Sequence, residues 1–252
     1  MVAYFKNIFN DAGTVILFTT RFFKEVFKPP FELKEFIKQC YFIGYKSFPI
    51  VAITGFIMGL VLTIQSRPTL ALFGAESWLP GMVALSLIRE IAPVVTALIC
   101  AGKISSGIGA ELGSMKVTEQ IDAMEVSAIN PYKFLVVTRI LAATLMVPLL
   151  VIFADGVGIV GGFVGVNIHG DVNLFRYCAQ VLESLDFIDV VPATIKTFFF
   201  GFFIGMIGCY KGFTAANGTE SVGKAANSAV VAASITIFII DMLAVQITDL
   251  FY

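Results

Sequence analysis

The residues of this sequence that are best suited to a chemical role are the charged residues inside its long apolar runs. The five are Arg89, Glu90, Asp155, Lys196 and Asp241. A charge at the middle of a membrane helix costs about 2.5–3.5 kcal/mol on insertion scales. Such residues therefore usually pair with one another or face an aqueous cavity. Arg89 and Glu90 project about 100° apart on a helix, so we expect each to find its partner on another helix. Structural ion pairing and the passage of a charged headgroup or a proton are both open interpretations.

Two patterns resemble phosphate-binding loops, but neither has the context that such a loop needs. Residues 218–225, GTESVGKA, match a Walker A loop except at Ala225, which lacks the hydroxyl that binds Mg²⁺. Gly156-x-Gly158-x-x-Gly161 matches a dinucleotide fingerprint, but it lies in an apolar run without βαβ context. We therefore predict no nucleotide site in this chain, and we expect residues 218–225 to form a turn leading into a membrane span.

Catalytic and metal-ligating sets are not apparent in the sequence. The single histidine, His169, has no serine or cysteine relationship that supports catalysis. The four cysteines have neither CxxC nor metal-ligand spacing. We predict no catalytic residue, no metal site and no cofactor bound by this chain.

The composition is that of an integral membrane protein. Of the 252 residues, 58% are hydrophobic and 14% are charged, whereas soluble domains have about 25% charged residues. The net charge of −1 gives no indication of a nucleic-acid partner. Five apolar runs are predicted to span the bilayer. They are 47–66, 79–102, 140–168, 190–210 and 225–247.

The distribution of Lys and Arg predicts the orientation of these spans. With the N-terminus in the cytoplasm, thirteen of these residues lie in cytoplasmic segments and only Arg67 and Arg176 lie in outer loops. By the positive-inside rule, this places the N-terminus inside and the C-terminus outside. The segment before the spans, 1–46, mixes Phe and Leu with Lys and Arg, which is typical of an interfacial amphipathic helix. The spans then form a second domain, 47–252.

Two loops of this arrangement are predicted to contain short helices. In the cytoplasmic loop 103–139, Val117, Ile121, Met124 and Ala128 fall on one helical stripe, opposite an acidic arc. An amphipathic helix on a short loop is suited to binding a soluble partner, although a solvated loop on the lipid surface is the simpler alternative. The outer loop 167–189 also has apolar residues at helical spacing.

Small residues four apart recur in the spans. The GxxxG pairs are Gly55/Gly59, Gly158/Gly162, Gly161/Gly165 and Gly201/Gly205. Such pairs allow transmembrane backbones to approach closely. They favour a tightly packed bundle, and packing against a second copy of the chain is the other role open to them.

Several motifs taken together resemble the MlaE-type permease family, the membrane subunits of ABC transporters that work with MCE-domain proteins. They are GLVLTIQ at 59–65, LSLIRE at 85–90 with Pro93, AELGSM at 110–115, TEQ at 118–120 and Asn130-Pro131. The resemblance extends from about residue 31 to the end of the chain. It implies an all-α homodimeric permease of five membrane helices in the bacterial inner membrane, preceded by an N-terminal interfacial helix.

The same resemblance implies partners and site residues. Cytoplasmic ABC ATPases would carry ATP and Mg²⁺, a periplasmic MCE-domain protein would receive or deliver phospholipid, and a STAS-domain subunit is an optional partner. The coupling helix is placed at about 111–124, with Glu111, Met115, Glu119, Ile121, Asp122 and Met124 as the coupling residues. The lipid-contacting positions are Leu62, Thr69, Leu70, Phe73, Arg89 and Glu90. Thr69 departs from the more apolar residue expected at that position.

The sequence thus predicts the permease subunit of an ABC transporter that moves phospholipid. One alternative is an ion-coupled secondary transporter with Asp155, Lys196 and Asp241 as a relay. Another is a membrane scaffold that only anchors soluble subunits. An intramembrane enzyme is a third, disfavoured because no catalytic set is visible.

Overall fold

The computed structural model describes residues 2–168, 170, 172–216 and 218–250, with side chains from residue 13 onward. His169 lies outside the described residues. Within these ranges the chain is all-helical and has no β-strand, which confirms the predicted fold class. The α-helices are α1 (Val2–Val26), α2 (Leu33–Cys40), α3 (Phe48–Leu72), α4 (Leu79–Ser86), α5 (Ala92–Cys100), α6 (Ser106–Val117), α7 (Gln120–Val126), α8 (Thr138–Asn167), α9 (Leu174–Glu183), α10 (Phe187–Phe213) and α11 (Thr219–Asp249).

Five continuous helical segments are long and apolar enough to cross a membrane, as predicted. They are Leu33–Leu72, Glu76–Val117, Tyr132–Asn167, Phe187–Phe213 and Thr219–Asp249. Four of them extend beyond their predicted bounds at both ends, and the third begins before its predicted start but ends at Asn167, one residue short of its predicted end. An α-helix satisfies its own backbone hydrogen bonds and need not end where apolar composition ends. Short π-helical turns interrupt the first at Tyr41–Tyr45 and the second at Leu87–Ile91 and Ala101–Ser105, and another, Tyr132–Val137, begins the third.

The two phosphate-loop-like motifs lie largely within helices. Gly218 has a φ of 103° and precedes α11, whose first residue is Thr219. Residues 219–225 are therefore helical, and the turn predicted over 218–225 is wrong except at Gly218, because apolar composition does not mark where a helix begins. Gly156, Gly158 and Gly161 lie inside α8, a helix of 30 residues. The predicted helix of the outer loop is also confirmed as α9, whose N-terminus is capped by the side chain of Asn173.

The chain divides into two units, each made of segments that are far apart in sequence. The first comprises 1–41, 101–143 and 202–234, and the second comprises 42–100, 144–201 and 235–252. In the first unit, the Phe18 ring contacts Tyr132, Tyr210 and Phe213, at centroid distances of 5.0, 5.5 and 6.2 Å. The Tyr132 hydroxyl also donates a hydrogen bond to the Phe18 carbonyl. These contacts anchor α1 to the rest of its unit; its placement at a membrane interface stays a prediction.

In the second unit, glycines bring α3 and α8 into backbone contact. A Cβ on Gly161 would lie 2.1 Å from the carbonyl oxygen of Phe56, and one on Gly55 would lie 2.9 Å from that of Ala154. The GxxxG pairs of these two helices therefore pack within one chain, as expected of a tight bundle. A separate apolar core joins α9 to α4, with Tyr177 and Val181 packed among Leu79, Val83 and Ala84.

Candidate functional site

Three membrane-spanning segments of the second unit meet at Lys196. Its Nζ lies 2.7 Å from Oε2 of Glu90 and 2.9 Å from Oδ1 of Asp241. The Lys196 side chain is only 5% exposed, whereas Glu90 is 44% exposed. The buried ammonium is thus neutralised by two carboxylates, one of which also reaches the surface of the unit. We define Glu90, Lys196 and Asp241 as the ionic triad.

A second ion pair lies beside the ionic triad. Nη1 of Arg89 is 3.5 Å from Oδ1 of Asp189, whose side chain is 8% exposed. The π-helical turn Leu87–Ile91 carries both Arg89 and Glu90, and such turns are frequent at functional sites. The expectation that these two charges have partners on other helices is confirmed. Sequence reasoning missed Asp189, although its position seven residues before Lys196 puts both on one face of α10.

Asp155 does not belong to this cluster. It is half-buried on α8, and its Oδ1 has no hydrogen-bond partner in the described part of the chain. Lys196 forms its ion pairs with Glu90 and Asp241 instead. The relay suggested for a secondary transporter comprised Asp155, Lys196 and Asp241. The structure pairs Lys196 with Asp241 and also with Glu90, and it leaves Asp155 outside the cluster.

Two cavities adjoin each other along α4 in the second unit. One, of about 530 Å³, is lined by Leu85, Ser86, Arg89, Glu90, Ile91 and Val245. The other, of about 600 Å³, shares Leu85 and is lined by Trp78, Gly81, Met82, Gln180 and Glu183, among others. Each lies in the size range of ligand sites. The first combines apolar walls with the charges of Arg89 and Glu90, an arrangement suited to an amphiphile.

The other predicted lipid contacts lie on α3 or immediately after it and do not line these two cavities. Leu62 and Leu70 are partly buried and pack against the core formed by α4 and α9. Thr69 is exposed, and Phe73, the residue that follows α3, is 80% exposed. The structure brings Arg89 and Glu90 together in a cavity, while Thr69 and Phe73 present an open surface within this single chain.

The predicted coupling segment is two helices rather than one continuous helix from 111 to 124. Glu111 and Met115 lie on α6, which ends at Val117, while Ile121, Asp122 and Met124 lie on α7. Glu119 separates the helices because its backbone is left-handed, with a φ of 58°, and that conformation cannot continue a right-handed helix. The predicted apolar stripe is therefore divided, with Val117 at the end of α6 and Ile121 and Met124 on α7.

Contacts within the first unit hold this helix pair in place. Ile121 is 2% exposed and anchors α7, and Lys116 Nζ lies 3.0 Å from Oδ1 of Asp122. Nη2 of Arg139, a side chain that is 2% exposed, lies 2.8 Å from Oε1 of Glu111. The sequence indicates Arg139 only as one of the cations of the cytoplasmic loop. Its structural position as the partner of Glu111 has no signal in the sequence spacing.

Tyr177, on α9, is the titratable group outside the spans with the clearest shift. Its hydroxyl donates a 3.1 Å hydrogen bond to the carbonyl oxygen of Ile159. Burial, with a smaller contribution from the neighbouring Cys178 thiol, raises the pKa of Tyr177 to about 12. The neutral phenol is thus held as a structural donor between α9 and α8.

Comparison with known proteins agrees with these features. The profile of the family described as Permease MlaE matches residues 36–247. A probable ABC transporter permease protein of Rickettsia prowazekii is 40% identical over 242 residues, which cover 96% of this chain and 92% of the relative. The intermembrane phospholipid transport system permease protein MlaE of Haemophilus influenzae is 35% identical over 209 residues, 82% of this chain and 80% of the relative. With its five membrane-spanning helical segments, the chain belongs to the MlaE permease family of ABC transporter permeases.

Proposed function

We propose that this chain is the permease subunit of an ABC transporter that moves phospholipid between the inner membrane and a periplasmic MCE-domain partner. The observation that carries the proposal is the 530 Å³ cavity with walls from Leu85, Ile91 and Val245 and charges from Arg89 and Glu90. Apolar walls suit acyl chains, and a fixed cation suits a phosphate. The name of the Haemophilus influenzae relative, which specifies phospholipid transport, supports the same substrate class.

The energy source in this proposal is a separate cytoplasmic ATPase that holds ATP and Mg²⁺. The chain itself is a non-catalytic subunit, acts as a homodimer, and has its N-terminus in the cytoplasm and its C-terminus in the periplasm. A STAS-domain subunit is an optional member of the assembly. The thirteen Lys and Arg residues of the segments assigned to the cytoplasm support this orientation.

Coupling is proposed to occur through the surface formed by the end of α6 and by α7. Glu111, Glu119 and Asp122 are exposed there, and Met115 and Met124 are half-buried. Ile121 anchors α7 from beneath. A displacement of this surface by the ATPase would reach the third span through the Glu111–Arg139 ion pair, because Arg139 is the second residue of α8.

A cavity-filling substitution tests the transport proposal. Leu85 lines both cavities, so Leu85→Trp should abolish ATP-dependent phospholipid transfer by the reconstituted complex. Leu149→Trp is the matched control, because Leu149 is 55% exposed on α8. It should transfer lipid as the parent does. Parental transfer by Leu85→Trp would overturn the assignment of these cavities.

A charge-reversal experiment tests the coupling surface. The double substitution Glu119→Lys with Asp122→Lys should abolish co-purification of the ATPase while membrane insertion is retained. Glu220→Lys is the control, because Glu220 is 83% exposed and, in the described part of the chain, pairs only with Lys224 of the same helix. Co-purification at the parental level in the double variant would exclude α7 as the ATPase contact.

An ion-coupled carrier is the second candidate, and the ionic triad favours it. Buried charges that pair with one another inside a membrane are typical of ion and proton pathways, and Lys196 pairs with Glu90 and Asp241 in this way. This candidate requires transport that depends on a proton or sodium gradient and proceeds without an ATPase. Measurement of lipid transfer in vesicles with ATP, or instead with an imposed gradient, separates the two.

A further inference from the structure

A third cavity, of about 150 Å³, lies in the first unit and is distinct from the proposed transport cavities. Its apolar walls come from Val26, Phe31, Leu33, Phe36, Val137 and Leu141. We call it the N-terminal slot, because Val26 of α1, Phe31 and Glu32 of the following segment, and Leu33 and Phe36 of α2 all line it. It is smaller than the 300–1,000 Å³ of a pocket for a whole ligand, and it has room only for part of one acyl chain.

A buried cation lies in the wall of the N-terminal slot. Lys133 is 8% exposed, and its Nζ donates a hydrogen bond to the carbonyl oxygen of Lys28. The same Nζ lies 5.9 Å from the centroid of the Phe31 ring. Within the described residues, Lys133 forms no ion pair. An ammonium has three donors, and a buried charge normally requires a counter-ion. Lys133 is therefore equipped to bind an anionic group.

A carboxylate lies in the same wall and is likewise available. Glu32 is half-buried and immediately precedes α2, but its side chain does not cap that helix. In the described part of the chain, Glu32 pairs neither with Lys133 nor with any other cation. The slot thus presents one positive and one negative group that do not neutralise each other.

We propose that the N-terminal slot binds a zwitterionic phosphoethanolamine lipid as a retained structural ligand. Its phosphate would accept a hydrogen bond from Lys133, its ammonium would donate to Glu32, and one acyl chain would enter the apolar slot. The remainder of the lipid would follow the exposed side chains of Leu33 and Ile37, which are 64% and 65% exposed. A lipid with net negative charge is disfavoured because Glu32 would repel it. The proposal does not depend on the transport function, since every residue involved belongs to the first unit.

Lipid retention by the full chain tests this site. The chain would be incorporated into nanodiscs of equal parts phosphatidylethanolamine, phosphatidylglycerol and phosphatidylcholine, then extracted and analysed by native mass spectrometry. Lys133→Met should lower the retained phosphatidylethanolamine about tenfold, the size expected for one charge-assisted hydrogen bond. Lys34→Met, at an exposed lysine of α2, should change nothing.

Two further variants separate lipid binding from misfolding. Leu141→Trp fills the slot and leaves both charges in place, so it should reduce retention as Lys133→Met does while the protein still elutes as a single species. Glu32→Gln should shift retention from phosphatidylethanolamine towards phosphatidylglycerol. Parental retention in Lys133→Met and Leu141→Trp would overturn the site, and an unchanged lipid ratio in Glu32→Gln would overturn the zwitterion assignment. Lipid transfer is measured separately, so its failure would not affect either result.

Discussion

Gly59 and Gly158 meet so closely that a Cβ on Gly59 would lie 1.8 Å from the carbonyl oxygen of Gly158. The contact joins α3 to α8 through backbone atoms, which cannot move aside as a flexible side chain can. Small residues at such crossings allow the van der Waals contact that holds membrane helices together. The first span of this chain therefore packs directly against the third because glycines leave room for backbone contact at the crossing.

The substitution Gly59→Ala is predicted to separate these helices. Because a methyl group at this position overlaps backbone, we expect a loss of about 1–3 kcal/mol or more in stability, as for other overpacked sites. Thermal unfolding of the purified protein in detergent measures the change. Gly156→Ala is the matched control on α8, because a Cβ there would meet nothing within 4 Å. Equal melting temperatures for the two variants would show that the crossing tolerates a side chain.

Removal of the central cation of the ionic triad is predicted to destabilise the second unit. Lys196→Met leaves the Asp241 and Glu90 carboxylates without their shared partner. Breaking a buried pair costs about 3–5 kcal/mol, and we expect about 1–3 kcal/mol here because Glu90 is partly exposed. Thermal unfolding again gives the stability.

A neutral version of the ionic triad separates its structural from its transport contribution. The triple variant Lys196→Met, Glu90→Gln and Asp241→Asn removes all three charges together, so most of the stability should return. Phospholipid transfer should not return, because the cavity then lacks the Glu90 charge. Transfer at the parental rate would mean that the charges serve only to hold the helices together.

The Glu111–Arg139 ion pair is predicted to stabilise the first unit. Glu111→Gln leaves a guanidinium that is 2% exposed with its 2.9 Å hydrogen bond to the Leu135 carbonyl. We expect a loss of about 1–2 kcal/mol, moderated because Glu111 itself is 54% exposed. Lys116→Gln is the control, since it breaks the more exposed pair with Asp122. A larger loss of thermal stability in the control would contradict the importance of burial.

The raised pKa of Tyr177 predicts a loss of stability at high pH. The ordinary pKa of tyrosine is about 10, and burial raises that of Tyr177 to about 12. A folded-state pKa above the unfolded value means that the contribution is complete below about pH 10 and is lost as the pH rises to about 12. Tyr177→Phe should therefore show a smaller decrease in melting temperature over this interval than the parent. A parallel decrease in both proteins would exclude Tyr177 as its source.

Several features could be predicted because they depend on local composition. The five spans follow from runs of apolar residues, each of which must be long enough for the hydrocarbon layer. The helix at α9 follows from helical periodicity. The membership of Arg89 and Glu90 in an ion-pair cluster follows from the cost of leaving them unpaired.

The sequence by itself thus determined the class of protein, the number of membrane segments and the residues that need polar partners. Only the tertiary structure decided that Glu90 pairs with Lys196 across 106 positions, that Arg139 lies beneath Glu111, and that the coupling segment is divided at Glu119. The physical reason is that hydropathy acts on each segment separately. Ion pairs depend instead on the rotation and packing of helices that are distant in sequence, and the break at Glu119 depends on the backbone conformation of one residue.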